Sequence, residues 1–368
     1  MTEPRAIALF LPNWIGDVVM ATPAIRAIRE GFPGANLFAV CKPYVADTLA
    51  GAPWFQGVLS WNRRGTNEET TYSVWKRLRA EQVDAAVLFP NSLRPALLAK
   101  LAGCRRIVGF ARYFRHLVLT DRLYPVRGPR GELKPHPALL DYNRLAMELG
   151  ATDPGVRMEL FTTANDEAAA EAVLGELPVG TSIVTLNAGG AFGSSKHWST
   201  ESFAQVARSL IDDRDACVIV LCGPSEREQA AAIARATHRP GKIVSVGACS
   251  VPLSIGLTKA LVRCSDLLVT TDSGPRHFAA AFDVPVVTLF GPTHIGWTET
   301  WFPKAMHLQV EVPCGPCQQR VCPLGHHRCM TELTPAMVIA ASVDLLRRFK
   351  DEPPEASRHV RRLIPLAG

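Results

Sequence analysis

A chain of 368 residues exceeds what one hydrophobic core ordinarily serves and suits two domains of roughly 150 to 180 residues each. With 47% hydrophobic and 20% charged residues it is globular, which excludes a disordered or fibrous chain. The net charge of +6 is unevenly spread: residues 1–150 hold 20 Lys and Arg against 12 Asp and Glu, and the remainder 20 against 22, so the first half is expected to meet an anionic partner.

Residues 1–12 place Glu3 and Arg5 before a short apolar run, which does not read as a secretory signal. No stretch reaches the roughly 18 apolar residues of a membrane helix. A cytoplasmic location is therefore expected, with the ten cysteines as reduced thiols or metal ligands rather than disulfides. The basic stretches lack interleaved aromatics and any nucleic-acid motif, so nucleic acid is not the expected partner.

In chain order, residues 6–11 read as a first strand, 13–17 as its exit loop and 18–30 as one helix. Residues 37–41 and 85–89 are further strands. Residues 125–137, rich in Pro, Gly, Arg and Lys, are a loop, and a helix runs over 141–149. After a break near 150–163, a helix at 165–176 opens the second half. Strands follow at 182–187, 216–222, 242–246, 267–271 and 286–290, with helices between. Strand and helix alternate in both halves, the pattern of parallel βαβ units. The expected domains are 1–163 and 164–345, followed by a tail at 346–368. Doubly wound sheets bind ligands beyond the carboxyl ends of their strands, so the chemistry is sought in the strand-exit loops.

Three such loops stand out in the second half. Residues 270–277 read Thr-Thr-Asp-Ser-Gly-Pro-Arg-His, small residues leading into a helix whose first turn accepts Pro275. Such a start offers unpaired N–H groups to a diphosphate, against Ser273, Gly274 and His277. It could equally be an ordinary N-cap by Asp272 or Ser273. Residues 187–198 start with Asn187 and Gly189 and end with Lys196, a mobile charge for a leaving phosphate. A plain surface loop is the alternative. Residues 222–226 place Glu226 where an acidic side chain can take ribose hydroxyls, or be merely solvated. Together the three describe a nucleoside diphosphate pocket. In the first half, Asp17 follows the first strand and could act as a general base or cap the next helix.

Read together, the stretches 13–17 and 196–198, Asp272-Ser273-Gly274-Pro275 with His277, and Phe290-Gly291-Pro292-Thr293 resemble glycosyltransferase family 9, the ADP-heptose:lipopolysaccharide heptosyltransferases. The likeness spans about residues 5–345. The stretch 314–330 is similar to one in the heptosyltransferase II branch. The resemblance implies a GT-B fold, two Rossmann-like doubly wound parallel-sheet domains facing a cleft. It implies an inverting transfer of heptose from ADP-heptose to the inner core of a Kdo-lipid A acceptor, with no cofactor required and peripheral contact with the cytoplasmic face of the inner membrane. Carried over, Asp17 would be the base, Lys196 would neutralise the leaving ADP, Glu226 would hold ribose, and Asp272 would hold heptose hydroxyls beside Ser273, Gly274 and His277. Where the family can have Thr after the aspartate, this chain has Ser273, which keeps the hydroxyl. Arg63, Arg64, Arg112 and Arg115 are the acceptor-binding arginines in this reading.

Cys314, Cys317, Cys322 and Cys329 lie at spacings that four thiolates can use for a structural zinc, though reduced thiols fit the unpaired spacing as well. Two other functions stay open at this point: a family 9 enzyme with another acceptor or donor, and a nucleotide-binding sensor or redox protein with a cysteine-held metal.

Overall fold

The computed structural model describes residues 3–62, 65–179, 181–190 and 192–351. The chain divides into two compact units. Of the described residues, one comprises those within 3–167 with 255–260 and 294–301, and the other those within 168–254 with 261–293 and 302–351.

The first unit holds a six-stranded parallel sheet: β1 (Ala6–Phe10), β2 (Asn36–Cys41), β3 (Gly57–Ser60), β4 (Ala85–Leu88), β5 (Arg106–Phe110) and β6 (Asp121–Leu123), in the order β3-β2-β1-β4-β5-β6. The second unit holds β7 (Ser182–Asn187), β8 (Ala216–Leu221), β9 (Ile243–Ser245), β10 (Leu267–Thr271), β11 (Val286–Phe290) and β12 (Ala305–Gln309), in the order β12-β11-β10-β7-β8-β9. Counted from its own first strand, each sheet has the dinucleotide-fold order 3-2-1-4-5-6, which reverses beside the first strand. β1 pairs with β4 from Ile7↔Ala85 to Phe10↔Leu88, and β7 pairs with β10 from Val184↔Leu267 to Asn187↔Thr270. These reversals place the loops after β1, β4, β7 and β10 where such sheets bind ligands.

β1 and β10 are buried along their whole length, as continuous apolar runs covered on both faces should be. Phe10, Phe38, Val74 and Leu78 contribute to the first core, and Val218, Phe203, Leu210 and Leu345 to the second. The sequence reading omits β3, β5, β6 and β12. Three of these are the edge strands β3, β6 and β12, and β3 and β12 are half-exposed throughout, so they lack a long apolar run. Residues 18–30 form two helices rather than one, Ile15–Met20 and Thr22–Gly31. Thr22 Oγ1 donates to Val19 O at 2.7 Å and Pro23 occupies the first turn of the second helix, so a proline restarts the helix where it costs no hydrogen bond.

Candidate functional site

The strand-exit loops of the second unit converge on one buried carboxylate. Lys196 Nζ donates to Asp272 Oδ2 at 2.6 Å and to Asp272 O at 2.7 Å. Arg276 NH1 reaches Oδ1 at 3.1 Å, and Thr293 Oγ1 donates to Oδ2 at 2.7 Å. All four residues are less than 9% exposed. Burial by itself would raise the Asp272 carboxyl, but the Lys196 and Arg276 charges and the hydrogen bonds from Lys196 and Thr293 hold it well below the usual carboxylate range. Its partner cations also lie over aromatic faces, Lys196 above Phe192 at 4.5 Å and Arg276 above Phe290 at 4.9 Å.

The surrounding groups form a second tier. Asn187 Nδ2 donates to Thr270 Oγ1 at 3.0 Å and Ser273 Oγ at 2.9 Å, locking the end of β7 to the loop after β10. Glu226 spans the glycine loop: its carboxylate accepts from Gly190 N–H at 2.9 Å and Gly223 N–H at 2.8 Å. A carboxylate has about four acceptor positions, so two remain for a ligand. A side chain at Gly189 would stand 2.2 Å from that carboxylate, so Glu226 would have to shift to admit it. His277, in the helix Pro275–Ala281, is pushed well below its ordinary pKa by burial first and by Arg276 second, so it is neutral.

The structure thus brings together Asn187, Gly189, Lys196, Glu226, Asp272, Ser273, Gly274 and His277 at the carboxyl edge of one sheet. It adds two side chains that sequence reasoning missed, Arg276 and Thr293. Arg276 reads in the sequence as one more solvated helix cation, and Thr293 was visible only as a motif residue. Asp272 and Ser273 do not act as side-chain caps for the helix that follows.

In the first unit, Asp17 lies in the first turn of the helix Ile15–Met20, half-buried, immediately beyond the exit of β1. The N-cap position is Trp14, so the capping role for Asp17 does not apply. Tyr142 is held well above the ordinary phenol range by burial, then by the charges of Asp17 and Asp141. Of the proposed acceptor arginines, Arg63 and Arg64 lie outside the described residues. Arg112 is half-buried. Arg115 must be corrected: it is fully buried. Its guanidinium is used internally, on Phe110 O at 2.5 Å, Asn91 Oδ1 at 3.0 Å and Pro90 O. Burial, then the nearby Arg112, lowers its pKa to about 10. Such an arginine shapes a loop instead of meeting a ligand.

The four cysteines named for a structural zinc, Cys314, Cys317, Cys322 and Cys329, lie around one cavity with Ser195, Pro292 and His326, about 20 Å³ in volume. Cys314 Sγ lies 3.9 Å from His326 Nε2. Yet among the described residues no group of three or more His, Cys, Asp or Glu side chains is placed to hold a metal ion. The loop has other supports. Ser195 N–H donates to Arg320 O at 3.1 Å, Ser195 Oγ to Gln319 O at 2.6 Å and Gln318 N–H to Pro292 O at 2.8 Å. Among the described residues no helix is long and apolar enough to cross a membrane.

Comparison with known proteins fits this geometry. The model of glycosyltransferase family 9 (heptosyltransferase) matches residues 71–328. Lipooligosaccharide heptosyltransferase 2 of Campylobacter jejuni is 29% identical over 348 residues, covering 93% of this chain and 98% of its own. Among solved structures, Escherichia coli ADP-heptose LPS heptosyltransferase II aligns with a TM-score of 0.75 at 21% identity, over 93% of this chain and 98% of that one. E. coli heptosyltransferase WaaC with ADP aligns at 0.69 and 17%, over 92% and 99%.

Proposed function

The chain belongs to glycosyltransferase family 9, the heptosyltransferases, and from that premise we propose that it transfers heptose from ADP-heptose to a heptosyl-Kdo-lipid A acceptor in lipopolysaccharide core assembly. The observation that carries this reading is the buried Lys196–Asp272–Arg276 cluster at the carboxyl edge of the second sheet, in a protein whose relatives are named heptosyltransferases. The fold is GT-B, with two Rossmann-like parallel sheets.

The diphosphate of the donor draws Lys196 Nζ from Asp272, and the lysine stabilises the negative charge that grows on ADP as the anomeric C–O bond breaks. Its departure frees Asp272 Oδ2 to accept a heptose hydroxyl, while Arg276 keeps the carboxylate ionised. Asn187, Gly189, Ser273, Gly274 and His277 line the donor site, and Glu226 accepts from the ribose with its remaining lone pairs. Asp17 takes the proton of the acceptor hydroxyl as its oxygen bonds to the anomeric carbon from the face opposite ADP, which inverts the configuration. A lipid-linked acceptor places the work at the cytoplasmic face of the inner membrane.

The test is a transfer assay with purified protein and ADP-heptose, comparing Kdo-lipid A bearing one heptose with Kdo-lipid A bearing none. Release of ADP and a mass increase of one heptose on the first acceptor alone is the expected result. Transfer to the unsubstituted acceptor instead would move the enzyme to the other core position, and no ADP release with either would overturn the reading.

A further inference from the structure

The first unit carries a group of exposed apolar side chains that its own core does not use. The loop leaving β5 presents Tyr113, Phe114 and Leu117 at 70%, 80% and 78% exposure. Tyr113 and Phe114 both lie in the left-handed region, with φ of 51° and 63°. Two successive non-glycine residues there cost free energy and persist only where the surroundings over-determine them. Buried Arg115 does so, tying the loop to Phe110 O, Pro90 O and Asn91. The fold thus spends a buried guanidinium to hold two aromatic rings out in water.

A second loop leaves the adjacent strand β6, and the two loops start side by side, since Ala111 N–H donates to Leu123 O at 2.7 Å. It adds exposed Tyr124, Val126 and Leu133 and exposed Arg127, Arg130 and Lys134. Residues 112–134 contain six Lys and Arg against two Asp and Glu. Asp121 pairs with Arg106 at 3.0 Å, which leaves Glu132, held by the backbone of Arg130 at 3.0 Å, as the one acidic charge against these cations. Arg127 donates to Gly131 O and Arg122 to Leu119 O, carbonyl contacts that leave the positive charge uncompensated.

We propose that these two loops, residues 112–117 and 124–134, form a docking surface for an anionic lipid bilayer. Amphipathic aromatic rings favour the bilayer interface, and each Lys or Arg close to an anionic leaflet strengthens attachment severalfold. Both features occur here on neighbouring loops. The position also serves transfer. β1, β4 and β5 run parallel in one sheet, so the exit of β1 that leads to Asp17 opens at the same carboxyl edge as the loop after β5. A lipid held at that edge would keep its sugar headgroup near Asp17. The inference deepens the lipid-linked acceptor reading and rests on it for its purpose, whereas binding to vesicles is measured without any transfer, so either can fail alone.

The experiment is co-sedimentation of the full chain with vesicles of equimolar phosphatidylglycerol and phosphatidylcholine, and with phosphatidylcholine alone, at low and high salt. Two variants are compared: Tyr113→Ser with Phe114→Ser and Leu117→Ser, and Arg127→Gln with Arg130→Gln and Lys134→Gln. The expected result is binding to the anionic vesicles that weakens with salt and falls by on the order of tenfold or more in each variant, with ADP affinity unchanged as the check on folding. Equal binding to both vesicle types, no binding to either, or variants that bind as the unaltered chain does would overturn the proposal. Concentration-dependent self-association that the Ser variant abolishes would also overturn it, and would make this face a protein interface.

Discussion

Two cations share one buried carboxylate at Asp272, and the sharing decides what each substitution does. Removing one partner of a buried pair is usually costly because it strands a charge. In Lys196→Ala, however, Arg276 and Thr293 still compensate Asp272, so the variant should fold. We expect it to lose on the order of 100-fold in kcat and to bind ADP more weakly; unchanged ADP affinity by calorimetry would remove the phosphate role. Asp17→Asn should cost on the order of 100-fold or more in turnover while ADP affinity persists, and near-normal turnover would end the base assignment. His277 supplies a pH signature. Its folded pKa is depressed far below 6.5 by burial and Arg276, so below pH 6.5 the unfolded chain binds a proton that the native state refuses. The stability from neutral His277 is therefore full above pH 6.5 and lost as pH falls, by about 1.4 kcal/mol per unit. Urea unfolding at pH 7 and pH 5 should show that loss, and His277→Gln should reduce it. Lys196, Asp272, Glu226 and His277 stand out in the sequence because each lies in or just after a strand-exit loop with small neighbours. Arg276 and Arg115 were not, since nothing local distinguishes an arginine that folds inward from one that meets solvent.

Elements were legible where burial imposes a continuous apolar run, as in β7, β10 and β11, whose limits the sequence reading matches residue for residue. The edge strands β3 and β12 have one side open and half-exposed side chains, so periodicity fades there. The break between the helices Ile15–Met20 and Thr22–Gly31 escaped because Pro23 in a first turn looks like Pro23 inside a helix until the backbone is traced. The loop bearing Lys196 shows what lies beyond pattern altogether. Gly193 has φ of 154°, and a side chain there would stand 2.2 Å from Arg320 O, so this loop and the cysteine-rich loop are fitted backbone to backbone. Gly193→Ala must push them apart, at roughly 1 to 3 kcal/mol by the usual cost of overpacking. Because Ser195 hangs from Arg320 and Gln319, the displacement reaches Lys196. ADP affinity should fall by about tenfold with the protein still folded, and a Gly193→Ala variant that binds ADP normally would show that the two loops are not coupled.

At the scale of the whole chain, the charge asymmetry was readable by counting, and so was the alternation that makes two parallel sheets. Missing from any local pattern is that the first unit takes back two later pieces, residues 255–260 and 294–301. The helix Ile255–Arg263 looks in sequence like any other of the second half. Its attachment is a buried lysine: Lys259 is fully buried, and Nζ donates to Phe161 O at 2.8 Å, Ala50 O at 3.2 Å and Thr48 O at 3.3 Å. Three acceptors satisfy the three donors of an ammonium, which makes its burial tolerable. At the start of the same helix, Gly256 lies so close to Asp166 that a side chain would stand 1.8 Å from its carboxylate. A fragment of residues 1–167 lacks this helix and its ammonium, and in the full chain Lys259→Met would leave three carbonyls short of a donor, at about 1 to 3 kcal/mol each. That loss is comparable with the roughly 5 to 15 kcal/mol by which a domain is stable at all. The fragment should therefore unfold at much lower urea than the intact chain or fail to fold cooperatively, and Lys259→Met in the full chain should shift the first transition the same way. If residues 1–167 alone unfold cooperatively at the urea concentration of the intact protein, the returning segments contribute nothing to that unit, and the chain could be cut after Glu167 without loss.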